Sequence, residues 1–281
     1  MGRAGAKPRV GGIDLGKKKS SIMNLGIEGR TAIVCASSQG LGLACAQALA
    51  QEGVNVVLNG RDQAKLDSTA AALRTIARGE VIAVAADVTT VQGQERLLAA
   101  HPSPDILINN NAGPAPGNFA DIDRDRWMKA IEANMIAPLM MIRAVLPGMK
   151  ERRFGRIVNI TSAMVTTPRP HMTVSSGARA GLTAAMKGLS LEVARHNVTI
   201  NNLLPERFDT DRQHQMAKAA MTRENISYDE ARARQVESIA AKRLGDPKEF
   251  GATCAFLCSA FAGFMSGQNL HLDGGSYPAL I

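Results

Sequence analysis

Two glycines at a turn between an apolar run and an amphipathic segment could hold a phosphate. The run 31–36 leads into Ser37-Ser38-Gln39-Gly40-Leu41-Gly42, and a segment with helical spacing follows. Glycine lets the backbone turn tightly and approach a ligand, and the free N–H groups at the start of a helix attract an anion. The turn is typical of a pyrophosphate site in a dinucleotide-binding protein, and two glycines here also fit an ordinary strand-to-helix turn.

The second apolar run ends in a cation. Residues 54–60 are followed by Arg61, at the place where proteins that bind NAD usually carry a carboxylate for the ribose hydroxyls. An arginine there suits the 2′-phosphate that distinguishes NADP from NAD. The sequence therefore predicts NADP(H) as the cofactor, and a surface arginine at the start of a helix is the alternative.

Polar residues and a glycine recur where later apolar runs end. Asp87 and Val88 come at the end of one run, and Asn111 and Gly113 follow another. In an open parallel sheet, ligands bind beyond the carboxyl ends of the strands, where the strand order reverses. We expect the adenosine half of the cofactor to lie among these residues.

Short β-branched runs alternate along the chain with longer segments of helical spacing. The runs are 31–36, 54–60, 80–87, 105–110, 155–161, 198–204 and 268–273, and the helical segments are 41–52, 62–78, 123–152, 174–196 and 246–260. Such runs are typical of strands buried on both faces, and right-handed crossovers place helices on both sides of the sheet. The predicted fold class is α/β: a single doubly wound, Rossmann-type domain with a seven-stranded parallel sheet. The polar interval 205–243 has no strand pattern, so we expect it to form a helical lid.

The composition is that of an ordinary folded protein, and the charge is unevenly distributed. The 281 residues are 45% hydrophobic and 21% charged. Residues 1–30 hold seven cations and two anions, so most of the net charge of +8 lies in a Gly/Lys-rich segment. We interpret residues 1–22 as a flexible basic extension and residues 23–281 as the domain, and we predict no nucleic-acid partner.

Targeting signals and cysteine spacing narrow the class further. The sequence has no run of about 18 apolar residues and no apolar secretory signal, which predicts a cytoplasmic protein without a membrane span. Four cysteines lie within apolar runs and lack the spacing of zinc ligands: Cys35, Cys45, Cys254 and Cys258. We expect reduced, packed thiols and no metal.

The ordered set of motifs resembles the short-chain dehydrogenase/reductase family, and within it NADP-dependent ketoreductases such as the 3-oxoacyl-(acyl carrier protein) reductases. The resemblance spans residues 25–281 and rests on 37–42, Asp87, 110–113, Asn134, Ser162, 205–210 and 273–275. It implies hydride transfer between NADP(H) and a carbonyl or more activated acceptor in a small-molecule substrate. It also implies a homodimer or homotetramer that associates through the segments 123–152 and 174–196. The residues implied to bind the cofactor are Ala36, Ser38, Gln39, Gly40, Leu41, Gly42, Arg61, Asp87, Val88, Asn111, Gly113, Arg179, Pro205 and Thr210.

The resemblance also implies an altered catalytic group. The family has a serine after the fifth strand, a tyrosine 12 to 14 residues later, a lysine four residues beyond, and an asparagine in the preceding helix that holds a water. Asn134 and Ser162 match, whereas Ser175 and Arg179 stand where the tyrosine and the lysine are expected. Serine is a far weaker acid than a phenol, and arginine stays protonated. We therefore expect weak turnover of simple ketones.

Residues at three further places in the sequence could affect the same catalytic site. His171 could supply the proton if the following helix begins early, and otherwise it is a solvent-facing loop residue beside prolines. Trp127 suits helix packing better than catalysis. Glu206 and Arg207 follow Pro205 where the family has glycine, which places charge where the backbone normally passes the nicotinamide.

Two hypotheses of different classes follow from these residues. The first is an NADP(H)-dependent short-chain oxidoreductase with an atypical active site. The alternative is a non-catalytic cofactor-binding sensor or partner subunit. Turnover of NADPH with diketones, imines and enones separates them.

Overall fold

A computed structural model describes residues 24–280, in which one parallel sheet carries helices on both faces. The strands are β1 (Thr31–Val34), β2 (Asn55–Gly60), β3 (Val81–Ala85), β4 (Ile106–Asn109), β5 (Gly155–Ile160), β6 (Val198–Pro205) and β7 (Asn269–Leu272). All neighbours are parallel, in the order β3-β2-β1-β4-β5-β6-β7. The predicted doubly wound fold is confirmed. The proposed extension, residues 1–22, lies outside the described residues.

The helices connect successive strands and form the two outer layers. They are α1 (Gly40–Gln51), α2 (Gln63–Arg74), α3 (Val91–Ala100), α4 (Arg124–Ile131), α5 (Ala137–Glu151), α6 (Thr173–Val193), α7 (Asp211–Glu224), α8 (Tyr228–Glu237) and α9 (Pro247–Cys258). The predicted single helix 123–152 contains a π-helical turn, Glu132–Ile136, between α4 and α5. The interval 205–243, which we expected to form a helical lid, contains α7 and α8. The sequence analysis did not name α3, a ten-residue helix that buries only Gly93 and Leu97.

The central strands supply both layers of the core. Alternate residues point to opposite faces of a strand, so Val34 packs with Leu49 and Phe250 on one side of the sheet while Ile33 packs with Met141 on the other. The edge strands β3 and β7 correct the expectation of burial on both faces, because most of their residues are only partly buried. Each edge strand has a single neighbour. The four cysteines are buried free thiols, as expected, and burial raises the pKa of Cys35 to about 12.

A row of asparagine side chains crosses four strands near the carboxyl edge. Asn109 donates through Nδ2 to Oδ1 of Asn159 (2.9 Å), Asn159 donates to Asn202 (3.0 Å), and Asn202 donates to Asn269 (2.8 Å). The strand register places these residues side by side. The asparagine row therefore fixes the alignment of β4 to β7 beneath the carboxyl edge, and the sequence reading did not identify it.

The stretch Arg124–Glu151 corrects the statement that no helix could span a membrane. This stretch has 28 residues and contains an 18-residue window with a mean hydropathy of 1.3, which meets that criterion. One such helix is weak support for a span. Met141, Val145 and Met149 of this stretch are buried, as in a helix that covers a sheet.

Candidate active site

The turn after β1 depends on two glycines for different reasons. Gly40 has φ +61°, a left-handed conformation that glycine adopts without strain, and it faces open space. A Cβ on Gly42 would lie 2.5 Å from the carbonyl oxygen of Ala36, so only glycine fits there. Ala36 itself has φ +45°. The turn is thus tightly packed at Gly42 and open to a ligand at Gly40.

Buried side chains hold this turn against β2 and β4. Oδ1 of Asn59 accepts a hydrogen bond from the N–H of Ala36 (3.0 Å), and its Nδ2 donates to the carbonyl of Ala86 (2.9 Å). The hydroxyl of Ser37 donates to the carbonyl of Val34 (2.7 Å) and accepts from the N–H of Asn59 (3.0 Å). Asn110 donates to the carbonyl of Ala36 (3.1 Å). The sequence analysis did not identify Asn59 as part of this turn, because its partners lie far away in the chain.

Helix α1 starts at this turn with unsatisfied backbone donors. Its N-cap, Gln39, is extended and makes no side-chain capping hydrogen bond, and its first turn has no acidic residue. The first N–H groups of a helix have no partner within the helix, and together with its dipole they favour an anion. The open turn and the uncapped helix fit a pyrophosphate.

Two cations lie on the β2 side of the turn. Arg61 is exposed at the end of β2, and Lys65, in the first turn of α2, contacts the side-chain oxygen of Gln39. The backbone N–H of Thr89, with a weaker contribution from the charge of Arg61, lowers the pKa of Asp87. Arg61 therefore lies near Asp87 after β3, and Gly60 before it approaches the turn, since a Cβ on Gly60 would lie 3.2 Å from Ser38. Sequence reasoning missed Lys65, whose position one helical turn after Arg61 was the available signal.

Asn134 occupies the π-helical turn between α4 and α5. It is 4% exposed, and its Nδ2 donates to the carbonyl of Ala130 (3.3 Å). Its Oδ1 is buried and has no partner among residues 24–280. Single π-helical turns occur often at functional sites. The geometry leaves an acceptor for a water or a hydroxyl. Nearby, Asn111 donates to the carbonyl of Ala133 (3.2 Å), which ties the end of β4 to this turn.

The other predicted catalytic residues gather at the end of β5. Ser162 follows that strand, and its hydroxyl accepts a hydrogen bond from the N–H of Met164 (3.2 Å). Ser175 lies in the first turn of α6, is 5% exposed, and its hydroxyl has no partner among the described residues. Arg179, one turn further, donates through Nη1 to the carbonyls of Ile160 (2.7 Å) and Thr161 (3.0 Å). Ser175 and Arg179 thus share the helix face that meets the end of β5.

Arg179 is buried without a carboxylate partner. Its Nη2 donates weakly to the carbonyl of Asn111 (3.4 Å). Burial, and secondly the charge of Arg212 in α7, lower the pKa of Arg179 to about 10, so the group stays charged at neutral pH. Sequence reasoning missed Arg212, because the lid carries no motif that places it against α6.

The remaining predicted residues line the same edge of the sheet. Pro205 is the last residue of β6, and Thr210 is the N-cap of α7 without a side-chain capping bond. Val88 is buried after β3, and the carbonyl of Ser38 accepts from Thr69 (3.0 Å). Within residues 24–280, no three His, Cys, Asp or Glu side chains converge as a metal site requires.

His171 does not lie on the helix with Ser175. Helix α6 begins at Thr173, and His171 is an exposed residue in the turn before it, with φ +65° and a carbonyl that accepts from the N–H of Gly117 (2.9 Å). The hypothesis of a shared helix face is therefore wrong. The prolines on either side of Arg169 keep this segment out of the helical conformation.

The charge of Glu206 is neutralised within the protein. Its side chain is 4% exposed, and Oε1 lies 2.9 Å from Nη2 of Arg169 and 3.7 Å from Nε of Arg207. Glu206 thus joins the loop after β5 to the start of the lid. Trp127 packs as expected: a Cβ on Gly177 of α6 would lie 3.1 Å from its ring.

Comparison with known proteins agrees with this geometry. Residues 35–277 match the family profile described as enoyl-(acyl carrier protein) reductase. The NADPH-dependent reductase BacG of Bacillus subtilis (strain 168) is 32% identical over 89% of this chain and 99% of its own length. The 3-oxoacyl-[acyl-carrier-protein] reductase FabG of Vibrio harveyi is 32% identical over 90% of this chain and 99% of its own length. The crystal structure of L-sorbose reductase from Gluconobacter frateurii with NADPH and L-sorbose superposes with a TM-score of 0.87 at 28% identity, covering 92% of this chain and all of that one.

A doubly wound sheet with an open glycine turn after β1 defines a dinucleotide-binding protein of the Rossmann class. The chain belongs to the short-chain dehydrogenase/reductase family.

Proposed function

We propose that this chain is an NADPH-dependent reductase that transfers a hydride to a carbonyl or more activated acceptor carbon of a small molecule. The turn at residues 36–42 carries the proposal, because it leaves backbone donors and open space where a pyrophosphate would bind. The names of BacG and of the L-sorbose reductase complex both include NADPH, which supports the choice of cofactor.

The chain's own residues would hold the cofactor from one end to the other. The turn with Gly40 and Gly42 takes the pyrophosphate, and Arg61 pairs with the 2′-phosphate. Asp87 and Val88 border the adenine side. Asn111 and Gly113, which the sequence placed with the adenosine half, lie beside Arg179 and would border the nicotinamide side together with Pro205 and Thr210. NADPH, when bound, supplies the hydride.

The predicted catalytic residues would orient the acceptor without the tyrosine side chain that the family uses. The hydroxyls of Ser162 and Ser175 donate hydrogen bonds to the acceptor oxygen, and Oδ1 of Asn134 accepts from a water that delivers the proton. Arg179 holds the ends of β4 and β5 together and offers its remaining donors to the ribose. General acid catalysis contributes about 10²- to 10⁴-fold, so a serine in place of tyrosine favours acceptors more activated than simple ketones.

A turnover screen tests the proposal. Oxidation of NADPH is followed at saturating cofactor with diketones, imines, enones and simple ketones. We expect the activated acceptors to react faster than the simple ketones. NADPH binding without oxidation by any acceptor would contradict a catalytic role and favour the sensor or partner-subunit alternative.

The assembly and compartment of the protein belong to the same proposal. We propose a homodimer or homotetramer that associates through α5 and α6, and a cytoplasmic location. A groove of about 450 Å³ between these helices, lined largely by Leu139, Leu146, Met186 and Leu189, supports the interface.

A further inference from the structure

Two guanidinium groups meet at the carboxyl edge of the sheet. Arg179 reaches this edge from α6, and Arg212 reaches it from the first turn of α7. A Cβ on Gly113 would lie 3.4 Å from Nη2 of Arg179 and 3.5 Å from Nη1 of Arg212. The two charges therefore lie on the same side of Gly113, and one of them belongs to the lid.

Neither guanidinium has a counter-charge within residues 24–280. No carboxylate there lies within 4.0 Å of either group, and the two are close enough for Arg212 to lower the pKa of Arg179. Two carboxylates at the start of the lid have other partners: Asp209 pairs with Arg232 (2.7 Å) and Glu206 with Arg169 (2.9 Å). Arg179 is buried and Arg212 is exposed to solvent, and two like charges held this close together favour an anionic ligand.

Most of the donors of this pair are unused. A guanidinium has five N–H donors. Arg179 makes three hydrogen bonds, all to backbone carbonyls, and Arg212 makes none to a described residue. Planar forks of this kind bind carboxylates and phosphates through two parallel hydrogen bonds.

The pair lies away from the pyrophosphate turn. Arg179 holds the ends of β4 and β5, whereas the turn at Gly40 follows β1, and the order is β1-β4-β5. Neighbouring strands are about 4.8 Å apart, so the carbonyls that Arg179 holds lie about 5 to 10 Å along the sheet from that turn. The pair faces the side where Ser162 and Ser175 would hold the acceptor.

We propose that Arg212, supported by the charge of Arg179, binds a carboxylate on the substrate, which is therefore a carbonyl compound that carries an acidic group. This inference rests on the proposed function. The lid-borne Arg212 makes the principal contact, so binding of the carboxylate also brings the lid against the site. The alternative anion that Arg179 and Arg212 could bind is the pyrophosphate of the cofactor.

Calorimetric binding to the NADP⁺-loaded protein tests the inference. Acetate, succinate and benzoate are compared with acetamide, succinamide and benzamide, in the wild type, in Arg212→Gln and in the control Lys218→Gln. Lys218 is an exposed cation on the same helix. We expect at least one carboxylate to bind about tenfold or more tightly than its amide, a preference that Arg212→Gln abolishes and Lys218→Gln keeps.

Two results overturn the inference. One is a wild type that binds none of the carboxylates more tightly than the matching amide. The other is an Arg212→Gln variant that loses tenfold in affinity for NADP⁺ but none for 2′,5′-ADP, which would assign Arg212 to the pyrophosphate. A wild type that binds neither nucleotide would instead contradict the proposed function.

Discussion

At the scale of single residues, the chemistry is distributed between backbone and side chains. In the proposed function, the phosphate turn acts through N–H groups and through the absence of a side chain at Gly42, whereas the acceptor is held by Asn134, Ser162, Ser175 and Arg179. Sequence reasoning could find the glycines and Arg61, because each stands at a fixed place relative to a strand. It could not find Arg212, which meets Arg179 only through folding of a lid without a motif.

Replacing Gly42 with alanine should weaken NADPH binding by about tenfold or more. The added Cβ would lie 2.5 Å from the carbonyl of Ala36, so the turn must shift where the pyrophosphate binds. Fluorescence titration with NADPH measures the loss. Gly188→Ala in α6 is the matched control, since a Cβ there has no atom within 4 Å and a helix tolerates alanine well. Equal NADPH affinities for the wild type and Gly42→Ala would contradict this account of the turn.

The double variant Ser175→Tyr with Arg179→Lys should raise the reduction of a simple activated ketone by at least about tenfold, the low side of a general-acid effect. Steady-state kinetics with saturating NADPH measures this gain. A double variant that binds NADPH normally and gains no activity would contradict the impaired-acid explanation.

The single variant Arg179→Lys should lower Tm, because lysine cannot keep all three hydrogen bonds to the carbonyls of Ile160, Thr161 and Asn111.

At the scale of elements, the sequence predicted each of the seven strands, because short apolar runs alternate regularly with longer segments of helical spacing. The sequence predicted 123–152 as one helix. It did not predict the π-helical turn around Asn134, because an extra residue in one turn scarcely changes the apolar periodicity. The asparagine row was also missed. Each asparagine alone is an ordinary polar residue, and only the strand register brings them together.

Asn159→Ala should lower the free energy of unfolding by about 2 to 6 kcal/mol. The change leaves Nδ2 of Asn109 and Oδ1 of Asn202 unpaired in the core, and each unsatisfied group costs about 1 to 3 kcal/mol. Urea denaturation measures it. Asn118→Ala removes one hydrogen bond from an exposed asparagine and should cost far less. A loss below about 1 kcal/mol for Asn159→Ala would show that the row contributes little.

At the scale of the whole molecule, the candidate site lies at the carboxyl edge of the sheet, and an apolar face lies on the helices α5 and α6. The groove between α5 and α6 is lined by six apolar residues and two cations: Leu139, Ile142, Leu146, Pro147, Met186, Leu189, Arg143 and Lys150. Leu191, near the end of α6, is 74% exposed. An apolar face of this kind favours association with another surface.

Leu146→Glu should convert the protein to monomers if α5 and α6 form the interface. A buried, unpaired carboxylate is costly, so the apolar contact cannot form around it. Light scattering during size-exclusion chromatography should give at least twice the mass of one chain for the wild type and for the exposed control Val91→Glu. A Leu146→Glu variant with the wild-type mass would place the interface elsewhere.

The cofactor preference tests the central claim most directly. Charge-assisted hydrogen bonds are worth about 1.5 to 3 kcal/mol, which corresponds to roughly ten- to a hundredfold in affinity. We therefore predict that calorimetric titration gives NADPH an affinity at least tenfold above NADH, and that Arg61→Ala removes this preference while the exposed control Arg78→Ala keeps it. Equal affinities in the wild type, or a preference that survives Arg61→Ala, would contradict the account.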